Sequence, residues 1–195
     1  MDMNVPRLWL LTGARGAGKT TFCRFLAARA HIQGWDTAGL LSPAVFEGGI
    51  KTGILAEDVR TGETHRLASS SPHYSFDLQQ GIWYFDRSTL AWGNHVIESS
   101  LPCDLLILDE LGPLELTRQG GWQAALDVLR GDGYHIALVV IRPELRYLVY
   151  RLLNFSETII IDRTQSIDQW VRLYWRKIEA AGFPKSQSLN ASRHS

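Results

Sequence analysis

The chain alternates between short apolar runs and longer segments whose apolar residues recur at helical spacing, which predicts strands alternating with helices. Residues 8–11 form one compact apolar run, and residues 104–108 contain another, four apolar residues that follow Asp104 and end at Asp109. Continuous apolar runs of this length are typical of parallel strands that are covered on both faces. The pattern therefore predicts an α/β fold with three layers, in which a mostly parallel sheet lies between helices.

The same pattern predicts the remaining elements. Further strands are expected at 37–42, 81–85, 134–141 and 158–161, and helices at about 19–33, 87–98, 119–130, 143–152 and 167–178. Asp86 and Ser88 are the candidate N-caps of the second helix, because their side chains can accept hydrogen bonds from the first helical N–H groups.

Residues 43–68 have a different texture, in which apolar and polar residues alternate and two glycine-containing turns, Gly48-Gly49 and Thr61-Gly62, interrupt the alternation. This pattern predicts a small antiparallel β-hairpin inserted into the fold. We expect residues 1–182 to form a single domain that contains this insert. The polar residues 183–195 lack apolar anchors and are expected to be disordered.

Composition and net charge indicate which partners and which cell compartment to expect for this protein. The 195 residues suit one α/β domain, and 20 basic residues balance 20 acidic ones. We therefore expect no nucleic-acid partner, because such binding needs an excess of positive charge. Cys23 and Cys103 lack metal-binding or redox spacing and are expected to be buried, reduced thiols. Neither a signal peptide nor a membrane-spanning segment is indicated, so we expect a cytoplasmic protein that binds no membrane.

Residues 13–20 read GARGAGKT and fit the Walker A pattern G-x-x-x-x-G-K-[ST] of a phosphate-binding loop. The loop follows a predicted strand and opens a predicted helix, so the helix N–H groups and its positive dipole end would face the phosphates. Lys19 is expected to reach the β- and γ-phosphates, and Thr20 to bind Mg²⁺. The predicted nucleotide-binding residues are Gly13, Ala14, Arg15, Gly16, Ala17, Gly18, Lys19, Thr20 and Thr21.

Two acids follow the apolar run 104–108, in the arrangement of a Walker B motif. Asp109 is predicted to be the second Mg²⁺ residue, although an isolated aspartate at a strand end can also act as a structural cap. Glu110 should be ionised at neutral pH and is predicted to be catalytic, orienting or polarising the water that attacks the γ-phosphate. Both motifs are expected at the carboxyl ends of parallel strands, where ligands of such sheets bind.

The sequence motifs do not establish which nucleotide base the protein binds. Residues 109–112 also fit the D-x-x-G motif of GTPases, but no N-K-x-D or T-K-x-D tetrapeptide that selects guanine is present. Trp83, Tyr84 and Trp92 could stack on a base or could belong to the core. The six histidines have no metal-ligand spacing, so no zinc site or nucleophile triad is expected.

Arg142 follows a predicted strand and is the candidate catalytic cation for the γ-phosphate, with an ordinary surface arginine as the alternative. Three functions fit these residues. The first is a nucleoside triphosphate hydrolase, and the second is a small-molecule kinase with its acceptor held by Arg142, Arg146 and Arg151. The third is a nucleotide-dependent switch with little steady turnover.

Together these residues resemble the thermophilic-type nucleoside triphosphatase family, which includes the cancer-related nucleoside triphosphatases. The matching segments are residues 13–21, 39–42, 81–86, 106–116 and 139–143. The resemblance implies a RecA-like P-loop fold with an added β-hairpin. It also implies slow, Mg²⁺-dependent hydrolysis of several nucleoside triphosphates to the diphosphate and phosphate, with broad base preference.

The chain departs from the family pattern at two places. Residues 42–46 read SPAVF where many relatives have Thr-Glu-Glu-Val-Arg, so an acidic and a basic side chain are missing. Arg15 stands at a loop position that is often small or apolar. Glu115 matches the family run, and the resemblance implies only a supporting role for it.

Overall fold

A computed structural model describes residues 7–71, 78–117 and 120–180 of the chain. The strands within these ranges are β1 Arg7–Thr12, β2 Thr37–Leu41, β3 Ala44–Glu47, β4 Ile50–Asp58, β5 Thr64–Ser69, β6 Leu78–Gln80, β7 Trp83–Phe85, β8 Cys103–Leu111, β9 Tyr134–Ile141 and β10 Glu157–Ile160. The helices are α1 Lys19–Ile32, α2 Arg87–Glu98, α3 Pro113–Leu116, α4 Ala125–Arg130, α5 Arg146–Tyr150 and α6 Ile167–Ala180, with a 3₁₀ turn at Pro143–Leu145.

Five strands form the parallel part of the sheet, in the order β10, β1, β9, β8, β2. The strand that precedes the phosphate loop, β1, is therefore separated from the acid-bearing strand, β8, by β9. This order is that of a RecA-like P-loop fold, which the resemblance implied. Because the five strands are parallel, their carboxyl ends lie along one edge of the sheet, and both motifs are found there.

Alternation along each parallel strand divides the core into two layers. On β1, Leu8 and Leu10 pack against one helical layer, which includes α2 and α4, whereas Trp9 and Leu11 pack against α1 and α6 on the opposite face. All four side chains are buried, at 6% exposure or less. The expected three-layer α/β arrangement is confirmed, since a continuous apolar strand is stable only with cover on both faces.

The insert contains three strands, β3, β4 and β5, where the sequence pattern indicated one hairpin. Each glycine-containing turn reverses the chain once, so two turns give three strands. The insert is also part of the main sheet, because β4 pairs antiparallel with β2, and β5, β7 and β6 continue the sheet beyond it.

The pairing of β4 with β2 places part of the insert beyond the carboxyl ends of the parallel strands, where both motifs lie. Leu41 at the end of β2 pairs with Glu57, near the end of β4. The first part of β4 therefore runs about 20 Å past the carboxyl end of β2, at about 3.4 Å per residue. This geometry brings residues of the insert into the neighbourhood of the phosphate loop.

Several element ends differ from the sequence prediction. Strand β8 continues to Leu111, which pairs with Ile141 of β9, so Asp109 and Glu110 lie within the strand and not beyond it. The helix expected at 119–130 starts only at Ala125, and the one expected at 143–152 is a 3₁₀ turn followed by α5.

Other expectations concern the second helix, the cysteines and the tail. Asp86 is the N-cap of α2, as predicted. Cys23 and Cys103 are free and buried, also as predicted. The tail at 183–195, predicted to be disordered, lies outside the described residues. Among the described residues, no helix has the length and apolar character needed to cross a bilayer.

Candidate functional site

The phosphate loop joins β1 to α1 and depends on glycine at both ends. Gly18 is the N-cap of α1 with φ 96°, and a Cβ there would lie 2.6 Å from Ile167 Cδ1. A Cβ on Gly13 would lie 2.3 Å from the carbonyl oxygen of Ile161. The loop is therefore packed closely against the segment between β10 and α6, and only glycine allows this approach.

Lys19 lies at the start of α1, and its side chain folds back over the loop. Its ammonium Nζ donates to the carbonyl oxygens of Gly13 and Ala14, at 2.9 and 3.1 Å. Lys19 is buried with 9% exposure, which is unusual for a lysine and is made possible by these two acceptors. The other predicted loop residues surround it, with Arg15 and Thr21 exposed and Thr20 half-buried.

Asp109 and Thr20, predicted as metal residues from separate motifs, are in direct contact. The Thr20 hydroxyl hydrogen-bonds to the Asp109 carboxylate, and the Ser42 N–H donates to Asp109 Oδ2 at 3.4 Å. Burial raises the pKa of Asp109 to about 6, and the charge of Glu110 adds to this, whereas Lys19 and the hydrogen bonds act in the opposite direction. A hydroxyl and a carboxylate are oxygen donors that suit Mg²⁺, so these two residues fit the ion that the sequence predicted.

Glu110 and Arg142 form an ion pair beside Asp109. Arg142 Nε donates to Glu110 Oε1, and the two side chains are 51% and 26% exposed, respectively. Burial lowers the pKa of Arg142, but the hydrogen bond and the negative charge of Glu110 outweigh it, so the pKa lies above its ordinary value. The ion pair thus holds together two of the residues that the sequence predicted to be catalytic.

Two further residues at the site, Lys51 and Arg163, were not predicted from the sequence. Lys51 extends from β4 and has an electrostatic interaction with Arg15, Glu110 and Arg142. Arg163, between β10 and α6, donates from Nη2 to the carbonyl oxygen of Gly16 at 3.5 Å. Neither belongs to a local motif, and their only sequence signal is their place on elements that meet the carboxyl edge of the sheet.

Glu115 holds the backbone that follows the acid pair. Its Oε2 accepts a hydrogen bond from the Gly112 N–H at 2.8 Å, and its Oε1 accepts one from the Trp122 N–H at 3.1 Å. The carboxylate is buried and fastens the turn after β8 to the segment before α4. The supporting role that the family resemblance implied is thus a hydrogen-bonded link between two backbone segments.

The candidate base-stacking aromatic residues belong to the packing of the insert. Trp83 and Trp92 are half-buried and pack against the core layer that contains α2. The ring of Trp83 also faces the Lys51 ammonium, 5.0 Å from the ring centroid, and Trp92 packs against His65. These contacts favour the core alternative for both tryptophans.

Comparison with known proteins agrees with this geometry. A family model described as NTPase matches residues 9–165, well over half of the chain. The nucleoside-triphosphatase THEP1 of Korarchaeum cryptofilum is 26% identical over 163 residues, which cover 81% of this chain and 80% of that protein. THEP1 of Ignicoccus hospitalis is 31% identical over 137 residues, covering 67% of this chain and 75% of the relative.

Two solved structures share the fold. The solution structure of a human cancer-related nucleoside triphosphatase has a TM-score of 0.65 at 19% identity, covering 89% of this chain and 98% of the other. The crystal structure of THEP1 from Aquifex aeolicus has a TM-score of 0.59 at 16% identity, covering 85% of this chain and 98% of the other. Since the family model spans both the phosphate loop and the acid pair, the chain belongs to the NTPase family of nucleoside triphosphatases.

Proposed function

We propose that this protein hydrolyses nucleoside triphosphates to nucleoside diphosphate and phosphate, with Mg²⁺, slowly and with little preference for the base. One observation carries the proposal: Lys19, the Thr20–Asp109 contact and Glu110 all lie at the same edge of the sheet. This set supplies the phosphate, metal and water contacts that hydrolysis needs.

The phosphate loop would hold the triphosphate. The N–H groups at the start of α1 and its positive dipole end attract the phosphate oxygens. Lys19 Nζ would exchange the carbonyl oxygens of Gly13 and Ala14 for oxygens of the β- and γ-phosphates. That exchange favours binding, because an ammonium bonds more strongly to an anionic acceptor than to a neutral carbonyl.

Thr20 and Asp109 would hold Mg²⁺, by the hydroxyl and by the carboxylate directly or through a water molecule. When bound, the ion neutralises charge on the phosphate oxygens and so lowers the barrier to attack. Asp109 is well placed for this, because its burial keeps competing water away from the carboxylate.

Glu110 would orient the attacking water. Arg142 occupies Oε1, so Oε2 is the oxygen that accepts a hydrogen bond from water. The water oxygen then bonds to the γ-phosphorus and gives its proton to Glu110 Oε2, while the bond from that phosphorus to the bridging oxygen breaks and the diphosphate leaves with the bonding electron pair. Arg142 is bound to Glu110 and does not reach freely toward the γ-phosphate, which supports slow turnover, since a free arginine there speeds the reaction about 10³–10⁵-fold.

Broad base preference is supported by the absence of the guanine-selecting tetrapeptide from the sequence and by the relatives, which are named nucleoside-triphosphatases without a specified base. We also propose action in the cytoplasm without nucleic acid. The two free, buried cysteines suit a reducing compartment, and the balanced charge gives no attraction to a polyanion.

The test is phosphate release from ATP, GTP, CTP, UTP and ITP, with and without Mg²⁺, by the wild type, Lys19→Ala and Glu110→Gln. We expect release from all five with the wild type, loss of nucleotide binding with Lys19→Ala, and retained binding with a fall in kcat of about 10²–10⁴-fold for Glu110→Gln. Equal turnover of the three proteins would reject the hydrolase. Turnover that requires an added acceptor would indicate the kinase, and binding without turnover would indicate the switch.

A further inference from the structure

Lys51 is a basic residue that the antiparallel insert brings to the phosphate site. It lies near the start of β4, opposite Phe46 of β3, in the part of the strand that extends past the end of β2. Its side chain is half-buried, and Nζ lies 5.0 Å from the centroid of the Trp83 ring. This cation–π contact limits the directions that the ammonium can take.

The electrostatic surroundings of Lys51 are those of the active site. Burial lowers the pKa of Lys51, and the charges of Arg15 and Arg142 lower it further, whereas Glu110 and Asp109 raise it. These four groups belong to the phosphate loop, the end of β9 and the acid strand. Burial and the two guanidinium groups disfavour the ammonium more than the two acids favour it, and an anion bound among these cations would reverse that balance.

The charges around the site match the expected substrate. The cations at the site are Arg15, Lys19, Lys51, Arg142 and Arg163, and the acids are Asp109, Glu110 and Glu115. The cations exceed the acids by two, and a nucleoside triphosphate with its four negative charges and one Mg²⁺ has a net charge of about −2. Lys19 is assigned to the β- and γ-phosphates, Arg142 is bound to Glu110, and Arg163 donates to the carbonyl oxygen of Gly16.

We propose that Lys51 is a second cation for the γ-phosphate, beside Lys19, and that it stabilises the charge that develops on the transferring phosphoryl group. This inference rests on the proposed hydrolysis at the same site. The insert then has a function, because β4 delivers a charge that the parallel part of the fold does not contribute. Trp83 is a positioning residue, which holds the ammonium of Lys51 over its ring.

The experiment compares Lys51→Met with Lys177→Met in the full-length protein. Methionine keeps the apolar stem that packs on Trp83 and removes only the charge. Lys177 is an exposed lysine on α6 that pairs with Glu157, away from the phosphate loop, so its variant controls for the loss of one positive charge. The readouts are kcat and KM for ATP, affinity for ADP, affinity for ADP with aluminium fluoride, and the melting temperature.

We expect Lys51→Met to lower kcat by roughly 10²–10³-fold, as removal of a preorganised transition-state contact does elsewhere. It should also weaken binding of ADP with aluminium fluoride by a similar factor, with KM and ADP affinity changed by no more than a few-fold. Lys177→Met should match the wild type. The kcat of Trp83→Phe should stay within a few-fold of the wild-type value, whereas the kcat of Trp83→Leu should be lower.

An unchanged kcat in Lys51→Met would overturn the inference. So would an equal loss of ADP affinity and kcat, or a lower melting temperature that accounts for the lost turnover, because either would assign Lys51 to general binding or folding. The failure of the proposed function itself would look different: the wild type would then release no phosphate, or would release as much as Lys19→Ala.

Discussion

Arg142, directly after β9, forms an ion pair with Glu110 of the adjacent strand β8, although 32 positions separate them in the chain. An exposed ion pair adds little to stability. Under the proposed function its value lies in orientation, since it holds Glu110 Oε1 and leaves Oε2 to accept a hydrogen bond from the attacking water.

This pairing predicts strongly non-additive kinetics. Arg142→Ala should lower kcat by up to about 100-fold, because a misplaced catalytic group can cost that much. The double variant Arg142→Ala/Glu110→Gln should turn over within a few-fold of Glu110→Gln alone, because both changes remove the same oriented carboxylate. Single-turnover phosphate release by the four proteins of the cycle measures this. If the two single-variant losses in kcat multiply in the double variant, Arg142 acts on the phosphate independently of Glu110.

The close packing of Gly13 predicts a large cost for a single methyl group. Gly13→Ala places a Cβ 2.3 Å from the Ile161 carbonyl oxygen at φ 151°, and should lower the free energy of unfolding by about 3 kcal/mol or more and abolish nucleotide binding. Gly34→Ala is the matched control, with φ 80° and no atom within 4 Å of the added Cβ. It should cost about 1 kcal/mol through backbone strain alone and leave binding intact. Urea unfolding measures both, and equal losses would contradict the packing argument.

The buried carboxylate of Glu115 predicts a stability effect. Glu115→Ala leaves the N–H groups of Gly112 and Trp122 without their acceptor, and each unsatisfied buried donor costs about 1–3 kcal/mol, so a loss of roughly 2–5 kcal/mol is expected. Glu98→Ala, at the exposed end of α2, should stay within about 0.5 kcal/mol of the wild type. The free energy of unfolding from urea titration is the measurement. A loss below about 1 kcal/mol for Glu115→Ala would mean that water replaces the carboxylate.

The N-cap of α2 predicts a pH-dependent contribution. Asp86 accepts hydrogen bonds from the N–H groups of Ser88 and Thr89. Burial raises the pKa of Asp86, but the hydrogen bonds from these residues outweigh it and hold the pKa below its ordinary value.

Because the folded pKa is depressed, the cap stabilises the protein above pH ~4, and its charged part is lost as the pH falls through the folded pKa. Asp86→Ala should cost about 1 kcal/mol at pH 7 and less at pH 3, whereas Asp86→Asn should cost only a few tenths. Thermal unfolding between pH 3 and pH 7 tests this. A cost for Asp86→Ala that does not change with pH would contradict it.

Local sequence was sufficient wherever the structure depends on neighbours in the chain. The cap at Asp86, the helix that starts at Lys19 and the buried strand that carries Asp109 all follow from residues within a few positions. The sequence pattern predicts one hairpin where the insert has three strands, because alternation of apolar and polar residues predicts strands but not their pairing. The strand β8 was predicted too short, since only its pairing with β9 carries it past the two acids.

The phosphate loop, the acid pair and the three-layer α/β fold can all be predicted from the sequence, because loop conformation, helix start and burial period are encoded over short stretches of chain. The contacts that these groups make depend on the tertiary structure. Long-range connections bring Thr20 to Asp109, Arg142 to Glu110 and Lys51 to Arg15, across 89, 32 and 36 positions of chain, respectively. Such contacts depend on strand order and register. Long-range packing determines both, so neither can be predicted from a short motif.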